Sequence, residues 1–532
     1  SQKINKILPS PDDIASCAIK HFESLPNHGK PKENEWTVYA ALVASSSSSF
    51  DVESHRVTPM NEDPTFNSVF VVCSATGSKC TTTGPEGWCL RDLHAEVLVK
   101  RGFQRLLWQE IRKGPLRLLS KVASRKSECT SSTSDASGDD CQYELRQDIK
   151  LHLYVSDSPC GDATIYKLKN GQWNFTGAKV VLPSQNSSCN SYTSNLSSIS
   201  SPEILTCCDD KTKVMREPNE QLLGQLRVKS GRSNLSSSSR STSLSCSDKI
   251  LKWTLVGLQG SRLPIRRPIY LHSIVVSFDP RAESKEAQTG AIQRAICDRR
   301  QQVYNELKEK VKNEKLNEKK EEIVEFLRQF DLLPQMTVEI TPLTLECSKS
   351  QRESSTHLSN ALVEVQESST HSYISNENGK RQTTQQSLGN CTQKRCKTVK
   401  TLPSKSNGEG SLIHKTSSPC GYCINWQNNG EGVEILVGNR GIKQGKRKGL
   451  TDTEYIKMAS RLCRREICRV AGAPTGLTYR QWKEHEFPQA YDRLSGEPSQ
   501  LPLNWYKTIE AAVTSTHPLE GWVRSENRDF TL

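Results

Sequence analysis

Apolar and polar stretches alternate along this chain in a way that predicts a mixture of strands and helices. Short apolar runs bounded by turn residues predict core strands near residues 36–43, 68–72, 151–155, 269–276 and 432–437. Apolar residues at helical spacing predict one helix after Pro11 and another that begins at His94. A highly charged helix is expected over residues 306–330, and the C-terminal end should also be helical.

Polar, serine-rich stretches separate these elements and set the expected domain boundaries. We predict a core over residues 11–345 and a C-terminal part of the same domain over residues 419–532. A disordered linker should join them over residues 346–418, since that stretch has few large apolar groups. Similar composition predicts disordered insertions at about 124–142, 184–218 and 233–243.

Three separate motifs carry the candidate chemistry of the chain. They supply one histidine, His94, and two cysteines, Cys160 and Cys246. One imidazole and two thiolates are the ligand set of a catalytic zinc that keeps its fourth position open. Glu96 follows the histidine by two residues, where it could move the proton of an attacking water. This combination is typical of nucleobase deaminases.

The surroundings of the motifs favour a shared site over their ordinary structural explanations. Alone, His94-x-Glu96 would be read as helix capping, and Pro-Cys-Gly as a turn that also occurs at residues 419–421. The strand at 151–155, however, runs directly into Cys160, and residues 161–166 can open a helix. A helix N-terminus favours the thiolate form of cysteine. Two helix starts above one sheet, at His94 and Cys160, could therefore share a metal.

Charge and cysteine content suggest a polyanion partner and a reducing compartment. The formal net charge is +13, and one basic cluster comprises Arg440, Lys443, Lys446, Arg447 and Lys448. This cluster could instead be a solvated loop or a nuclear-import signal. No apolar run reaches the ~18 residues that span a bilayer, and the first residues lack a signal-peptide core. We therefore expect no membrane partner, 19 cysteines acting as thiols or metal ligands, and a location in the nucleus, the cytoplasm or both.

The third motif also carries a family resemblance. Residues 245–253 (SCSDKILKW), followed by GLQG at 257–260, closely resemble the hallmark of the adenosine deaminases that act on RNA. The resemblance covers roughly residues 11–180, 220–345 and 419–532. It implies an α/β fold, a single cytidine-deaminase-like domain with a mixed sheet flanked by helices and the ligand order His94, Cys160, Cys246. Simpler base deaminases use Pro-Cys-x-x-Cys, whereas Ala163 stands at the second cysteine position here.

Within that family the chain looks most like the branch that acts on tRNA. Residues 29–37 and 226–232 resemble that branch, and no module for double-stranded RNA is evident in the sequence. The resemblance implies adenosine 37, next to the anticodon of alanine tRNA, as the target. Arg232 aligns near a glutamate with which duplex editors fill the space of the flipped base. Editing of double-stranded RNA or mRNA, and an inactive RNA-binding relative, remain the alternatives; a redox or second zinc site at Cys420 and Cys423 has little support.

The resemblance further implies a buried inositol hexakisphosphate and a set of RNA contacts. Its position-by-position ligands are Lys100, Arg101, Lys249, Lys252, Ser261, Arg464, Tyr479, Lys483 and Trp522. Inward-facing cations would be very costly to bury without such an anion, although these lysines could simply be exposed. Asp92 and Lys229 could relay hydrogen bonds from the anion to the metal. Ser78, Lys79, Arg232 and the basic cluster are the expected RNA contacts; the sequence does not predict an oligomeric state.

Overall fold

The protein is described here by a computed structural model, which places most of the predicted core. The described residues are 8–47, 68–82, 84–123, 141–175, 178–181, 223–229, 241–260, 263–313, 320–331, 335–355, 417–445, 450–482, 509 and 511–513. No helix among them is both long and apolar enough to cross a membrane.

The described elements are numbered in chain order. The strands are β1 (Glu35–Trp36), β2 (Tyr39–Ser46), β3 (Ser68–Thr76), β4 (Ser78–Cys80), β5 (Asp92–His94), β6 (Leu119–Ala123), β7 (Cys141–Leu145), β8 (Ile149–Val155), β9 (Lys179–Val180), β10 (Arg227–Val228), β11 (Ser273–Ser277), β12 (Thr337–Thr341), β13 (Ser418–Pro419), β14 (Tyr422–Gln427), β15 (Glu434–Val437) and β16 (Ile442–Lys443). The helices are α1 (Pro11–Ser24), α2 (Ala95–Lys113), α3 (Cys246–Val256), α4 (Lys285–Gln293), α5 (Arg299–Lys312), α6 (Lys320–Asp331), α7 (349–355), α8 (Asp452–Met458), α9 (Arg464–Val470) and α10 (Tyr479–Gln481). A π-helical segment, Arg294–Asp298, joins α4 to α5.

An eight-stranded mixed sheet forms the centre of the described fold. Its strand order is β12-β11-β8-β2-β3-β14-β15-β16. β11 pairs in parallel with both β12 and β8, and the remaining neighbours are antiparallel. The expected mixed α/β architecture is confirmed, whereas a specifically cytidine-deaminase-like topology stays a prediction.

The alternation of side chains along β2 shows why helices cover both faces of the sheet. All eight residues of β2 are buried. Tyr39, Ala41 and Val43 pack in one apolar cluster with Ile14 and Phe22 of α1. The intervening Ala40, Leu42 and Ala44 pack in another with residues of α2, α3 and α9. Because successive strand residues point to opposite faces, this apolar strand needs a helical layer on each side.

Helices α3, α5 and α6 build a separate apolar cluster beside the sheet. Leu251 and Leu255 of α3 meet Val303 of α5 and Phe326 of α6 there. The charged helix expected over residues 306–330 is thus two helices, α5 and α6, each with a buried apolar face. The cluster anchors α3, which carries one of the candidate metal ligands at its first turn.

The packed core extends beyond the boundary expected at residue 345. Residues 346–355 were expected to begin the linker, but the carbonyl of Cys347 accepts from the Thr37 amide at 2.9 Å, and Glu353 of α7 forms an ion pair with Arg281. The Ser350 amide also donates to Asp157 at 2.8 Å. Similarly, β7 begins inside the insertion expected at 124–142, because it pairs with β6 as a hairpin. Residues 241–243 of the third expected insertion are described too; residues 184–218 and 356–416 lie outside the described residues.

Candidate active site and metal centre

His94 starts a helix, as its sequence pattern predicted, and it also ends a short strand that was not predicted. It is the last residue of β5, which pairs with β4, and it is the N-cap residue of α2 with φ −68° and ψ 141°. Ser78 lies opposite His94 in this ladder. The ladder fixes the backbone of His94, and the helix that follows fixes the position of Glu96 in its first turn.

Cys246 is the first residue of α3, and its turn is held by a capping network. The Ser245 hydroxyl accepts from the Asp248 amide at 3.3 Å and donates to the Asp248 carboxylate at 2.6 Å. Asp248 also receives the guanidinium of Arg299 at 2.6 Å, and both side chains of this pair are fully buried. This network therefore fixes the position of the first turn of α3.

Cys160 does not lie at the start of an α-helix, which corrects the sequence prediction. The chain after it forms only a single 3-10 turn, Asp162–Thr164. The backbone carbonyls of Asp162 and Ile165 accept from the Arg294 guanidinium, each at 3.0 Å, and the Asp162 carbonyl also accepts from the Ile165 amide at 3.1 Å. The helix starts that face each other across the site are consequently those of α2 and α3.

Gly161 allows the Cys160 loop to approach the start of α3 closely. Its φ is +111°, and a Cβ at this position would collide with Ser245 and lie 2.5 Å from the Ser247 hydroxyl. Two hydrogen bonds close the gap, from the Cys246 amide to the Cys160 sulfur at 3.3 Å and from the Ser247 amide to the Cys160 carbonyl at 3.1 Å. Glycine therefore brings the two thiols to one place.

The three predicted metal ligands converge. One ligand atom from each of His94, Cys160 and Cys246 lies within 4.8 Å of the others, and the Cys160 sulfur is 3.6 Å from His94 Nδ1. A nitrogen and two sulfurs at this spacing suit a tetrahedral zinc with one position left for water or substrate. The donor set thus fits the predicted metal.

Glu96 is buried beside this ligand set. The residue is 2% exposed, and its Oε2 has no hydrogen-bond partner in the described part of the chain. Burial raises the pKa of the Glu96 carboxyl above its ordinary value. A buried carboxyl oxygen without a protein partner costs free energy unless a ligand or a water bonds to it. We therefore expect Glu96 Oε2 to bond to a reacting group in the site.

A network of charged groups joins the metal ligands to the neighbouring helix. Lys229 Nζ donates to Asp92 at 2.8 Å and to the Cys246 sulfur at 3.1 Å. Lys249 and the Ser243 hydroxyl also donate to the same Asp92 oxygen. Although burial opposes it, the two ammonium groups hold the pKa of Asp92 well below its usual range. The predicted relay pair of Asp92 and Lys229 is therefore in contact.

The two thiols differ in acidity because they share a hydrogen bond. The Cys246 thiol donates to Cys160, and with the charge of Lys229 this holds the pKa of Cys160 well below its usual range. Burial raises the pKa of Cys246 well above its usual range. The charge of Lys229 thus favours the thiolate form that a metal ligand needs.

Two residues near the site were missed from the sequence. Cys80 offers a ligand atom within 4.8 Å of those of Asp92 and His94, and Ser243 accepts from Lys249 at 2.6 Å. Cys80 lies opposite Asp92 in the β4–β5 ladder, a pairing that short polar strands do not reveal. Ser243 belongs to a stretch whose serine content suggested disorder.

Comparison with known proteins agrees with this geometry. The adenosine-deaminase (editase) domain family matches residues 73–402, which is more than half of the chain. The chain belongs to this family.

Among curated proteins, the tRNA-specific adenosine deaminase 1 of Drosophila melanogaster is 30% identical over 55% of this chain and 59% of its own length. The mouse protein of that name is 26% identical over 54% and 69%. The double-stranded RNA-specific editase Adar of Drosophila melanogaster is 28% identical over 41% of this chain and 28% of its own length. The chain thus spans only about half to two thirds of the tRNA-specific relatives it matches.

Several of the basic residues predicted to hold an inositol phosphate lie between α2, α3 and α9. Lys100 lies 5.6 Å from the Trp253 ring of α3, and Arg101 donates to the Leu462 carbonyl before α9 at 2.7 Å. Arg464 lies 5.3 Å from the Tyr479 ring. Its buried Nη1 has no hydrogen-bond partner among the described residues, with Glu86 3.7 Å away.

The positive charge of this region suits a polyanion, but not all of the predicted ligands are found there. Lys252 also lies on α3, but Lys249 reaches the Asp92 relay instead. The remaining predicted ligands, Ser261, Lys483 and Trp522, lie outside the described residues.

Some of the predicted RNA contacts lie in the described part of the chain. Ser78 and Lys79 belong to β4, where Ser78 lies opposite His94. Lys443 is the last residue of β16, and Arg440 lies in the turn before that strand. This turn approaches β4, since a Cβ added to Gly438 would lie 3.1 Å from Lys79 Cδ. Arg232, Lys446, Arg447 and Lys448 lie outside the described residues.

Proposed function

We propose that this protein is a zinc-dependent enzyme that hydrolytically deaminates adenosine to inosine in tRNA, at position 37 next to the anticodon of alanine tRNA. The observation that carries the proposal is the convergence of His94, Cys160 and Cys246 beside a buried Glu96 oxygen without a described partner. Membership of the adenosine-deaminase family supports it.

Glu96 is the catalytic residue for proton movement. A zinc ion bound by the three ligands would supply Lewis acidity and lower the pKa of a water to about 7. The Glu96 carboxylate takes one proton from the attacking water and delivers it to N1 of the adenine, and then transfers the remaining hydroxyl proton to the leaving amine. The new C–O bond forms at the carbon that carries the amine, the C–N bond breaks, and ammonia leaves.

Lys229 and its partners position the thiol ligands without touching the substrate. The ammonium of Lys229 bonds to the Cys246 sulfur, and Asp92 holds that ammonium in place. Partners of this kind orient metal ligands and tune the metal. We propose that inositol hexakisphosphate binds at Lys100, Arg101, Lys252, Arg464 and Tyr479, and supports this network from the side of Lys249.

Two features support tRNA over the alternatives. The mouse relative named for tRNA matches over 69% of its own length, whereas the fly and mouse relatives named for double-stranded RNA match over 28% and 20% of theirs. The basic residues described near the site, Lys79, Arg440 and Lys443, suit the phosphates of a folded loop. An inactive RNA-binding relative is the less favoured candidate, because all three ligands and Glu96 are in place. A nuclear or cytoplasmic location stays a prediction.

The test compares three RNAs with the zinc-loaded chain. Folded alanine tRNA should form inosine much faster than an isolated anticodon stem-loop or a long perfect duplex, because selectivity rests on loop shape and flanking nucleotides. Binding should weaken steeply with salt, as phosphate contacts do. Faster editing of the duplex would refute the proposed substrate, and no inosine from any RNA would refute the activity.

A further inference from the structure

An open cavity of about 460 Å³ lies at the β16 edge of the sheet and has no part in the proton chemistry. Three strands supply its floor, with Tyr422 of β14, Val437 of β15 and Ile442 of β16. Asn439, Arg440 and Gln444 form its rim. The volume lies within the range of about 300–1,000 Å³ typical of small-ligand pockets.

The floor is a continuous row of side chains across the sheet. Tyr422 lies opposite Val437 in the β14–β15 ladder, and Val437 lies opposite Ile442 in the β15–β16 ladder. Directly opposed residues share one face of a sheet, so the tyrosine ring borders an apolar surface. The ring is half-buried, which leaves it partly open to the cavity.

The rim is polar and carries positive charge. Asn439 and Gln444 are exposed amides, and Gln444 Oε1 is held by the His28 ring at 2.6 Å. Arg440 lies between them along the rim, and none of the described residues that line the cavity is acidic. Amides that read a base edge, a ring that stacks and an arginine for phosphate are the groups that bind unpaired nucleotides.

The cavity is also tied to the segment that carries the active site. The Leu90 amide, two residues before β5, donates to the Gly441 carbonyl in the turn between β15 and β16 at 2.9 Å. On the other side Gly438 packs against Lys79, the neighbour of Ser78 opposite His94. A strand bound near His94 could therefore extend to this rim over a few nucleotides.

We propose that this cavity is a nucleotide-binding subsite, which holds one unpaired nucleotide of the RNA substrate outside the deamination site. The base stacks on Tyr422 and meets the amides of Asn439 and Gln444, and the phosphate lies against Arg440. This proposal rests on the proposed function for the identity of the ligand as RNA.

The experiment is a double-mutant cycle between protein and RNA, measured by binding. The full zinc-loaded chain carries Glu96→Gln, so that the RNA stays unchanged, and alanine tRNA carries a single abasic site at each unpaired loop position in turn. Tyr422→Ala should weaken tRNA binding about 5- to 150-fold, as expected for one lost base stack. One abasic position should weaken binding to the Tyr422 protein by a similar factor and have no further effect on Tyr422→Ala.

Three companion variants separate stacking from folding and from general charge. Tyr422→Trp should retain binding, because its ring also stacks. Arg440→Gln should reduce the salt dependence of log Kd by about one phosphate contact. Arg328→Gln, an exposed arginine on α6, should leave both quantities unchanged.

The subsite is refuted if Tyr422→Ala binds tRNA as the parent does, or if its effect adds to that of every abasic position. Loss of binding in Tyr422→Trp as well as Tyr422→Ala would also overturn it. The binding result is independent of catalysis. If the effects of Tyr422→Ala and of the abasic site are coupled but the Glu96 enzyme forms no inosine, only the proposed activity is refuted. If inosine forms but the two effects are additive, only the subsite is refuted.

Discussion

Substitution of Gly161 by alanine should separate the two thiol ligands, since this glycine lies where the Cys160 loop meets the start of α3. The added methyl group would collide with the Ser245 hydroxyl and lie 2.6 Å from Ser245 Cβ, so rotation of the hydroxyl cannot relieve the contact. A positive φ of +111° adds backbone strain for any residue with a Cβ.

The magnitude follows from these two contributions. At Gly161 the backbone has φ +111° and ψ −142°, a conformation almost exclusive to glycine that costs another residue roughly 1–3 kcal/mol, and overpacking a well-filled site adds roughly 1–3 kcal/mol. Gly171 offers a control for a positive φ without a collision, because its φ is +78° and nothing lies within 4 Å of its Cβ position. Gly171→Ala should therefore show backbone strain without overpacking, and Gly161→Ala should be destabilised by at least about 1–3 kcal/mol more.

Zinc affinity is the property that distinguishes the two variants. The collision lies between the two segments that carry Cys160 and Cys246, so the overpacking of about 1–3 kcal/mol opposes zinc binding. Gly161→Ala should therefore bind zinc about 5- to 150-fold more weakly in a chelator competition, since about 1.4 kcal/mol corresponds to a tenfold change in affinity. Gly171→Ala should bind zinc as the parent does. Equal zinc affinity in both variants would show that the close approach at Gly161 does not set the ligand geometry.

The remaining predictions concern the metal, the buried ion pair, pH and the polyanion. Purified protein should hold one zinc, and Cys246→Ala should lose it; zinc content of the variant equal to that of the parent would contradict the ligand assignment. Arg299→Met should lower the free energy of unfolding by about 3–5 kcal/mol because it leaves the buried Asp248 carboxylate without its charged partner, whereas Arg328→Met, at an exposed ion pair, should leave the free energy of unfolding nearly unchanged; similar values would contradict the role of burial. Burial lowers the pKa of His152 from 6.5 to about 3. Between these two pH values the unfolded chain binds a proton that the folded chain does not, so the free energy of unfolding should fall by up to about 1.4 kcal/mol for each pH unit of acidification. His152→Gln should flatten this slope in urea titrations, and an unchanged slope would exclude the residue as its cause. If inositol hexakisphosphate binds as proposed, cells unable to make it should yield insoluble protein, because the positive charges of Lys100, Arg101 and Arg464 would lack the anion that binds them together; soluble, active protein would refute that requirement.

The sequence reveals the parts of this fold that local patterns determine. The apolar run at β2 and the helical spacing after His94 predict a strand and a helix, and both are observed. The ligands were recognisable because zinc chemistry requires their residue types and the flanking motif resembles a known family. The structure brings these three residues together, and their role as zinc ligands stays a prediction.

Local sequence patterns do not reveal contacts between residues that are far apart along the chain. The chain after Cys160 forms one turn instead of the expected helix, and its carbonyl groups accept from Arg294, more than 130 residues away along the chain. The polar segment at 346–355 was expected to be disordered, yet its contacts with Thr37, Asp157 and Arg281 place it in the core. Such partners are invisible to periodicity and composition.

The most direct test of the account is inosine formation in ¹⁸O-labelled water by the zinc-loaded chain and its Glu96→Gln variant. Mass spectrometry of the digested tRNA measures both the amount of inosine and the origin of its new oxygen. The account predicts labelled inosine from the parent and from a surface control, Glu325→Gln, and a rate lower by about 10²–10⁴ or more in Glu96→Gln with zinc retained. Inosine formed at the parental rate by Glu96→Gln, or inosine without the label, would contradict it.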